Sequence, residues 1–69
     1  MLKDTRVSLG LTLQEVANTA RLSRFTIENA EKGKVISEVS AAKIVNALNI
    51  LSGQTYTVES LGIQTKRDR

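Results

Sequence analysis

The stretch from Leu11 to Gly33, LTLQEVANTARLSRFTIENAEKG, constrains the fold of this chain more than any other part. Its apolar residues recur at helical spacing in two short runs, which are separated only by residues 21–23. Thr12 and Glu15 form a T-x-x-E capping box before the first run, and Ser23 is a typical N-cap for the second. The sequence therefore predicts two amphipathic helices joined by a tight turn, the second running to about residue 32.

Three further helices are predicted around this pair. A first candidate spans Leu2 to Leu9, and a last single turn runs from an N-cap at Thr57 to Leu61. Ser37 caps a longer helix of about residues 38–49, which is apolar over most of its circumference and is therefore expected to be buried. Its apolar stripe comprises Ala41, Ile44, Val45, Leu48 and Leu51, with Ala42 and Ala47 beside it. The predicted fold is all-α, a compact bundle of about five short helices.

Composition argues against several classes of function. The chain has neither Cys nor His, so it lacks the thiolate and imidazole groups that most often attack substrates or bind zinc. No nucleophile–base pair or phosphate-binding loop is visible, and we expect no enzyme activity, no metal and no cofactor. No apolar run is long enough to span a bilayer, and no signal-peptide pattern opens the chain. We therefore expect a cytoplasmic protein without membrane contact.

Positive charge gathers in the first half of the chain and at its end. Residues 1–36 hold six basic and four acidic side chains, residues 37–63 hold one and two, and residues 64–69 hold three and one. This distribution suits a polyanionic partner, although a net charge of +3 is also ordinary for a small soluble protein. We expect a domain of residues 1–63 and a basic flexible tail of residues 64–69 containing Lys66, Arg67 and Arg69.

The helix pair has the spacing of a helix-turn-helix motif at about residues 12–33. Ala17 supplies the small side chain that is needed where two helix axes approach closely. The residues expected to pin the pair from both sides are Val16, Ala20, Leu22, Ile27 and Ala30. With its inner face fixed in this way, the second helix has a rigid and exposed outer face. In motifs of this kind that helix enters the major groove of double-stranded DNA.

The segment from Leu11 to Gly33 resembles the helix-turn-helix of the phage-repressor and Cro family, also called the xenobiotic-response-element family. The shared residues are G-L-T at 10–12, E-V-A at 15–17, S-R-x-T-I at 23–27 and E-K-G at 31–33. A less specific similarity extends over about Arg6 to Leu61. The resemblance implies a lambda-repressor-like bundle and a sequence-specific transcriptional regulator that binds double-stranded DNA and is nucleoid-associated.

The resemblance also implies roles for individual residues. Base contacts fall to Arg24, Phe25, Glu28 and Asn29. Phosphate contacts fall to Thr12, Ser23, Thr26, Lys32 and Lys34. Arg21 faces the same side, and we expect it to add a phosphate contact of its own. Arg6 and Glu31 match a pair that forms a partly buried salt bridge between the first and third helices of the family. An acid near phosphates is costly unless it accepts from cytosine or orients a cation, and we expect Glu28 to orient Arg24 one turn away.

Three positions depart from the family pattern. Leu13 stands where the family has a phosphate-contacting Gln. Arg21 stands where it has a left-handed Gly, a geometry that costs about 1–2 kcal/mol unless the helix runs on and turns differently. Phe25 stands where members often carry a polar base-reading residue. Two interpretations of Phe25 are open, contact with a thymine methyl group or packing over the turn against Leu22.

Partners follow from the small size of the domain. One motif reads only a few base pairs, so a homodimer on half-sites about 34–36 Å apart is expected. Tyr56, Val58, Leu61 and Ile63 are expected either to cover the core or to meet a partner. For a dimer, Tyr56, Leu61, Ile63 and the end of the fourth helix are the candidates for its surface. The alternative function is an antitoxin-like or other protein-interaction module, with a toxin or co-regulator as partner and DNA binding secondary or lost. Apolar residues at positions 13 and 25 are what such a change of function would produce.

Overall fold

The structure is a computed structural model that describes residues 1–66, and within them the chain forms five helices and no strand. The helices are α1 (Leu2–Ser8), α2 (Leu13–Ala20), α3 (Arg24–Glu31), α4 (Glu38–Ser52) and α5 (Val58–Leu61). The predicted all-α fold is confirmed. Helix α4 extends beyond its predicted end at residue 49 and stops at Gly53, whose φ of 74° places it in the left-handed conformation typical of helix ends.

Side-chain caps begin four of the five helices at the residues predicted from the sequence. The Thr12 hydroxyl accepts from the backbone N–H of Glu15, whose carboxylate accepts in return from the Thr12 N–H. Ser23 and Ser37 each accept from the N–H three residues ahead, and Thr57 forms a second reciprocal box. Because each cap contributes about 1 kcal/mol, local sequence alone does much to define where the helices start.

The core is aliphatic and lies where α4 packs against the α2–α3 pair and α5. Its buried apolar residues are Leu2, Val16, Ala17, Ala20, Ile27, Ala30, Ile36, Ala41, Ile44, Val45, Ala47, Leu48, Leu61 and Ile63. Burial of each of the larger side chains contributes about 1.5–3 kcal/mol. Five short helices with different directions thus share one core, which holds the α2–α3 pair in place.

Helix α4 is less buried than its composition predicts. Val39 and Ile50 are 66% and 73% exposed, and Leu51, which belongs to the predicted stripe, is 37% exposed. Ala42 is also exposed. The rest of the predicted stripe is buried, at Ala41, Ile44, Val45 and Leu48, so α4 is buried along one side as expected. The described helices leave its opposite side in solvent, although that side is also partly apolar.

The segment after α5 pairs with the connection before α4. The Ile36 N–H donates to the Gln64 carbonyl at 3.0 Å, and the Lys66 N–H donates to the Ile36 carbonyl at 2.9 Å. These bonds make an isolated parallel bridge between Ile36 and Thr65. The predicted flexible tail differs from the structure at residues 64–66, because their backbone is held by this pairing. The other two basic residues of the predicted tail, Arg67 and Arg69, lie outside the described residues.

Candidate nucleic-acid interface

The inner face of the α2–α3 pair has almost no exposed surface. Val16 and Ile27 are 0% exposed, Ala17 is 1% exposed and Ala30 is 4% exposed. The Ala17 carbonyl also accepts from the backbone N–H of Leu22 at 3.0 Å, which ties the turn back to α2. Small side chains at the contact and a short turn therefore define the orientation of α3 relative to α2.

The turn itself depends on one left-handed residue. Arg21 has φ 59° and ψ 44°, and it is the one non-glycine residue with positive φ among residues 1–66. Of the two geometries considered from the sequence, the structure adopts the left-handed turn rather than an extended helix. This conformation costs about 1–2 kcal/mol for a residue with a Cβ atom. The Arg21 residue is exposed, so its side chain contributes little packing in return.

A buried ion pair fixes α3 to α1. The Arg6 Nε lies 2.5 Å from Glu31 Oε2, and Arg6 Nη2 donates to Glu31 Oε1 at 3.3 Å. Arg6 Nη1 donates to the Leu11 carbonyl at 2.8 Å, so the same guanidinium also holds the segment before α2. The two side chains are only 11% and 7% exposed. The structure thus contains the ion pair expected between these residues, with its charges satisfied by hydrogen bonds.

The outer face of α3 presents two columns of side chains, each with its members one helical turn apart. Arg24 and Glu28 form the first column, with Nη2 of Arg24 3.9 Å from Oε2 of Glu28. Their side chains are 56% and 40% exposed, and the two groups lie within ion-pair range but beyond hydrogen-bonding distance. Phe25 and Asn29 form the second column. Phe25 is 68% exposed, so most of its surface meets solvent rather than Leu22.

The hydroxyl and lysine residues that were expected to contact phosphate lie around this face. Ser23 and Thr26 hydrogen bond to each other through their hydroxyl oxygens, 3.1 Å apart, at the start of α3. Lys32 and Lys34 follow the end of α3, and both are exposed. The Thr12 side chain is occupied by its capping bond, although the residue is exposed. Each of these residues is therefore accessible at an end of α2 or α3, except that Thr26 is half-buried.

Two open cavities join the start of α2 to this face. Thr12, Leu13 and Arg24 all line the first, which has a volume of about 480 Å³. Leu13 also lines the second, of about 380 Å³, together with Lys3 and Lys32. Lys3 was not among the residues singled out from the sequence. Lys3 lies three residues before Arg6 on α1, and its place beside α3 comes from the packing of these two helices rather than from a sequence signal.

Two residues expected at a dimer surface belong to the core instead. Leu61 is 1% exposed and Ile63 is 5% exposed, so both cover the core, and the dimer role considered for them is wrong. Tyr56 is half-buried, and the Asn49 side chain bonds to both its backbone N–H and its carbonyl, at 2.7 and 3.3 Å. The exposed end of α4 remains available as a surface.

Two features are absent from residues 1–66, a cluster of metal-ligand side chains and a helix that could span a membrane. No group of three or more acidic, His or Cys side chains is placed there to hold a metal ion. None of the helices in residues 1–66 has the length and apolar character required to cross a bilayer. Comparisons of the chain with protein-family models, with curated proteins and with solved structures gave no match.

Proposed function

We propose that this chain is a sequence-specific DNA-binding protein of the helix-turn-helix type, in which α3 reads the major groove and the protein regulates transcription. The observation that carries the proposal is the rigid mounting of an exposed, arginine-bearing helix. Arg6 and Glu31 hold α3 from one side, and Ile27 holds it in the core, while Arg24 stays 56% exposed. A side chain presented in this way can reach a base edge without reorganising the fold.

The chemistry of the side chains on the outer face of α3, among which Asn29 is half-buried, supports the same function. Arg24 has the fork geometry that matches the O6 and N7 acceptors of guanine, and Asn29 has the amide that matches adenine. Arg21, Lys32 and Lys34 supply exposed positive charge in the turn and beyond the end of α3. Phosphate contacts from such residues determine register and affinity, whereas the base contacts determine sequence preference.

A homodimer follows from the size of the readout helix. Helix α3 has eight residues, and only its outer face is exposed, so one copy can contact only a few base pairs. Two copies on half-sites one helical turn apart, about 34–36 Å, would recover the affinity and specificity needed. The exposed end of α4, with Ile50 73% exposed, is the apolar surface available for such a contact.

A protein-interaction module is the second candidate function. Leu13 lines both cavities beside α3, where the resembling family has a polar phosphate contact, and Phe25 is exposed. Apolar groups at these two positions suit a protein partner such as a toxin or a co-regulator. This candidate predicts that duplex DNA is bound weakly or not at all.

Selection of bound duplexes from a random pool tests the proposal. We expect a palindromic consensus, because a two-fold dimer reads the same half-site twice. Affinity for the selected duplex is then measured by fluorescence anisotropy over a series of salt concentrations. Three cationic phosphate contacts per protomer correspond to a slope of log K against log[salt] of about −3 for each protomer. The absence of measurable binding at about 50 mM salt would overturn the proposal and favour the interaction module.

A further inference from the structure

Phe25 is an apolar residue that does not belong to the buried core. Helix α3 contains three apolar residues, and two of them, Ile27 and Ala30, are 0% and 4% exposed in the core. Phe25 is 68% exposed on the opposite face. Other large apolar side chains, such as Val39 and Ile50, are also exposed, so exposure alone does not assign a role to Phe25. What distinguishes Phe25 is its place on the outer face of α3, between the polar side chains of that face.

The neighbours of Phe25 restrict what kind of partner can cover it. Arg24 precedes Phe25 in the chain and forms the first column with Glu28. Asn29 lies one helical turn beyond Phe25, in the second column. A ligand that covers Phe25 must therefore also meet a guanidinium and an amide. The major groove of DNA meets this requirement, because guanine accepts from Arg, adenine pairs with Asn, and thymine carries an apolar 5-methyl group.

We infer that Phe25 selects thymine, by contact of its ring with the 5-methyl group, at a position close to the base that Arg24 contacts. This inference rests on the proposed function, since it names the base that one residue of the DNA-reading surface recognises. The 5-methyl of thymine is the apolar group that the four bases present in the major groove. Asn29 strengthens the selection, because the adenine of an A·T pair offers its N6 and N7 to an amide on the same groove edge.

Replacement of thymine by deoxyuridine tests the inference, because it removes the methyl group and keeps base pairing and every hydrogen-bonding atom. Each thymine of the duplex selected by the wild-type protein is replaced in turn, and affinity is measured by fluorescence anisotropy. We expect one position in each half-site to lose affinity about fourfold, which corresponds to about 0.8 kcal/mol for one buried methyl group. The same replacement should have no effect on Phe25→Ala, which has no ring to contact the methyl.

Two controls make the experiment decisive. Val39→Ala removes an apolar side chain of similar exposure, 66%, from the start of α4, and it should keep the full sensitivity to deoxyuridine. Thermal unfolding should show that Phe25→Ala folds like the wild type, since its side chain lies largely outside the core.

The outcomes separate this inference from the proposed function. The protein can bind a duplex with the expected salt dependence and yet lose no affinity when any thymine is replaced by deoxyuridine. That result overturns the role of Phe25 and leaves DNA binding in place. A deoxyuridine effect of equal size in Phe25→Ala also overturns it, because another group then contacts the methyl. Failure to bind any duplex rejects the proposed function and this inference together.

Discussion

The two faces of α3 obey different constraints although they belong to one helix of eight residues. On the inner face, Ile27 and Ala30 are 0% and 4% exposed, and the Glu31 carboxylate is buried with Arg6. On the outer face, Phe25 is 68% exposed and Arg24 pairs only loosely with Glu28. The inner face is thus determined by packing, whereas the outer face is free to carry recognition. Substitutions on the two faces should therefore affect different measurements.

Removal of one partner of the buried ion pair should have the largest effect on stability. We expect Glu31→Ala to lower the free energy of unfolding by about 3–5 kcal/mol, because it leaves the Arg6 guanidinium buried without its counter-charge. For a domain of this size that loss approaches the total stability. Urea unfolding followed by circular dichroism measures it.

Glu28→Ala is the matched control, because it removes a carboxylate from the same helix that also faces an arginine. Its ion pair is 3.9 Å long and its side chain is 40% exposed, so we expect a change within about 0.5 kcal/mol. The apolar double variant Arg6→Met with Glu31→Leu should recover much of the lost stability. Equal effects of Glu31→Ala and Glu28→Ala would show that the inner and outer faces do not differ as the burial indicates.

A pair of apolar truncations should divide the two faces in the same way. Ile27→Ala is expected to lower the free energy of unfolding by about 2–5 kcal/mol, because it leaves a cavity at a site that is 0% exposed. Phe25→Ala removes a larger side chain from the outer face of the same helix, yet it should change stability by less than about 0.5 kcal/mol. A destabilisation by Phe25→Ala of the same size would mean that its ring packs on the turn in solution.

The helix starts and the inner face of the α2–α3 pair could be predicted from the sequence because their signals are local. Thr12, Ser23, Ser37 and Thr57 carry oxygens that cap a helix within three residues, so each helix start follows from a few neighbouring letters. The spacing of the apolar residues in α2 and α3 likewise depends only on the helical period. The resemblance to a known family, rather than spacing, led to the Arg6–Glu31 pair, whose partners are 25 residues apart.

Features that depend on distant parts of the chain could not be predicted in this way. The pairing of Ile36 with residues 64–66 joins two segments whose sequences carry no strand pattern. The burial of Leu61 and the exposure of Leu51 depend on where α5 lies on α4, and apolar periodicity does not report this. The proximity of Lys3 to Lys32 and Leu13 arises in the same way, from the packing of α1 beside α3.

The outer face should respond in binding rather than in stability. We expect Arg24→Ala to weaken binding to the selected duplex by about 1–3 kcal/mol and to relax the preference for one base, because a bidentate contact with guanine is lost. Lys34→Ala should weaken binding to all duplexes alike and make the salt slope shallower by about 0.9. Parallel selection experiments with both variants measure the difference. Uniform weakening by Arg24→Ala would assign this residue to phosphate contact instead.

Arg21 links the two faces, because its backbone forms the turn while its side chain is exposed. Glycine adopts φ 59° without the cost that a Cβ atom brings, but it loses more chain entropy on folding. We expect Arg21→Gly to raise the free energy of unfolding by about 1 kcal/mol. The same change should make the salt slope of DNA binding shallower by about 0.9, because one phosphate contact is lost.

Arg21→Lys separates the backbone effect from the side-chain effect, since it keeps both the Cβ atom and the positive charge. Its stability and salt slope should match those of the wild type in urea unfolding and in anisotropy titrations. A gain in stability without a change in slope would mean that the Arg21 side chain does not contact phosphate. If both quantities change as expected, the turn carries a strained residue because its charge serves binding, and strain of this kind is found at functional sites.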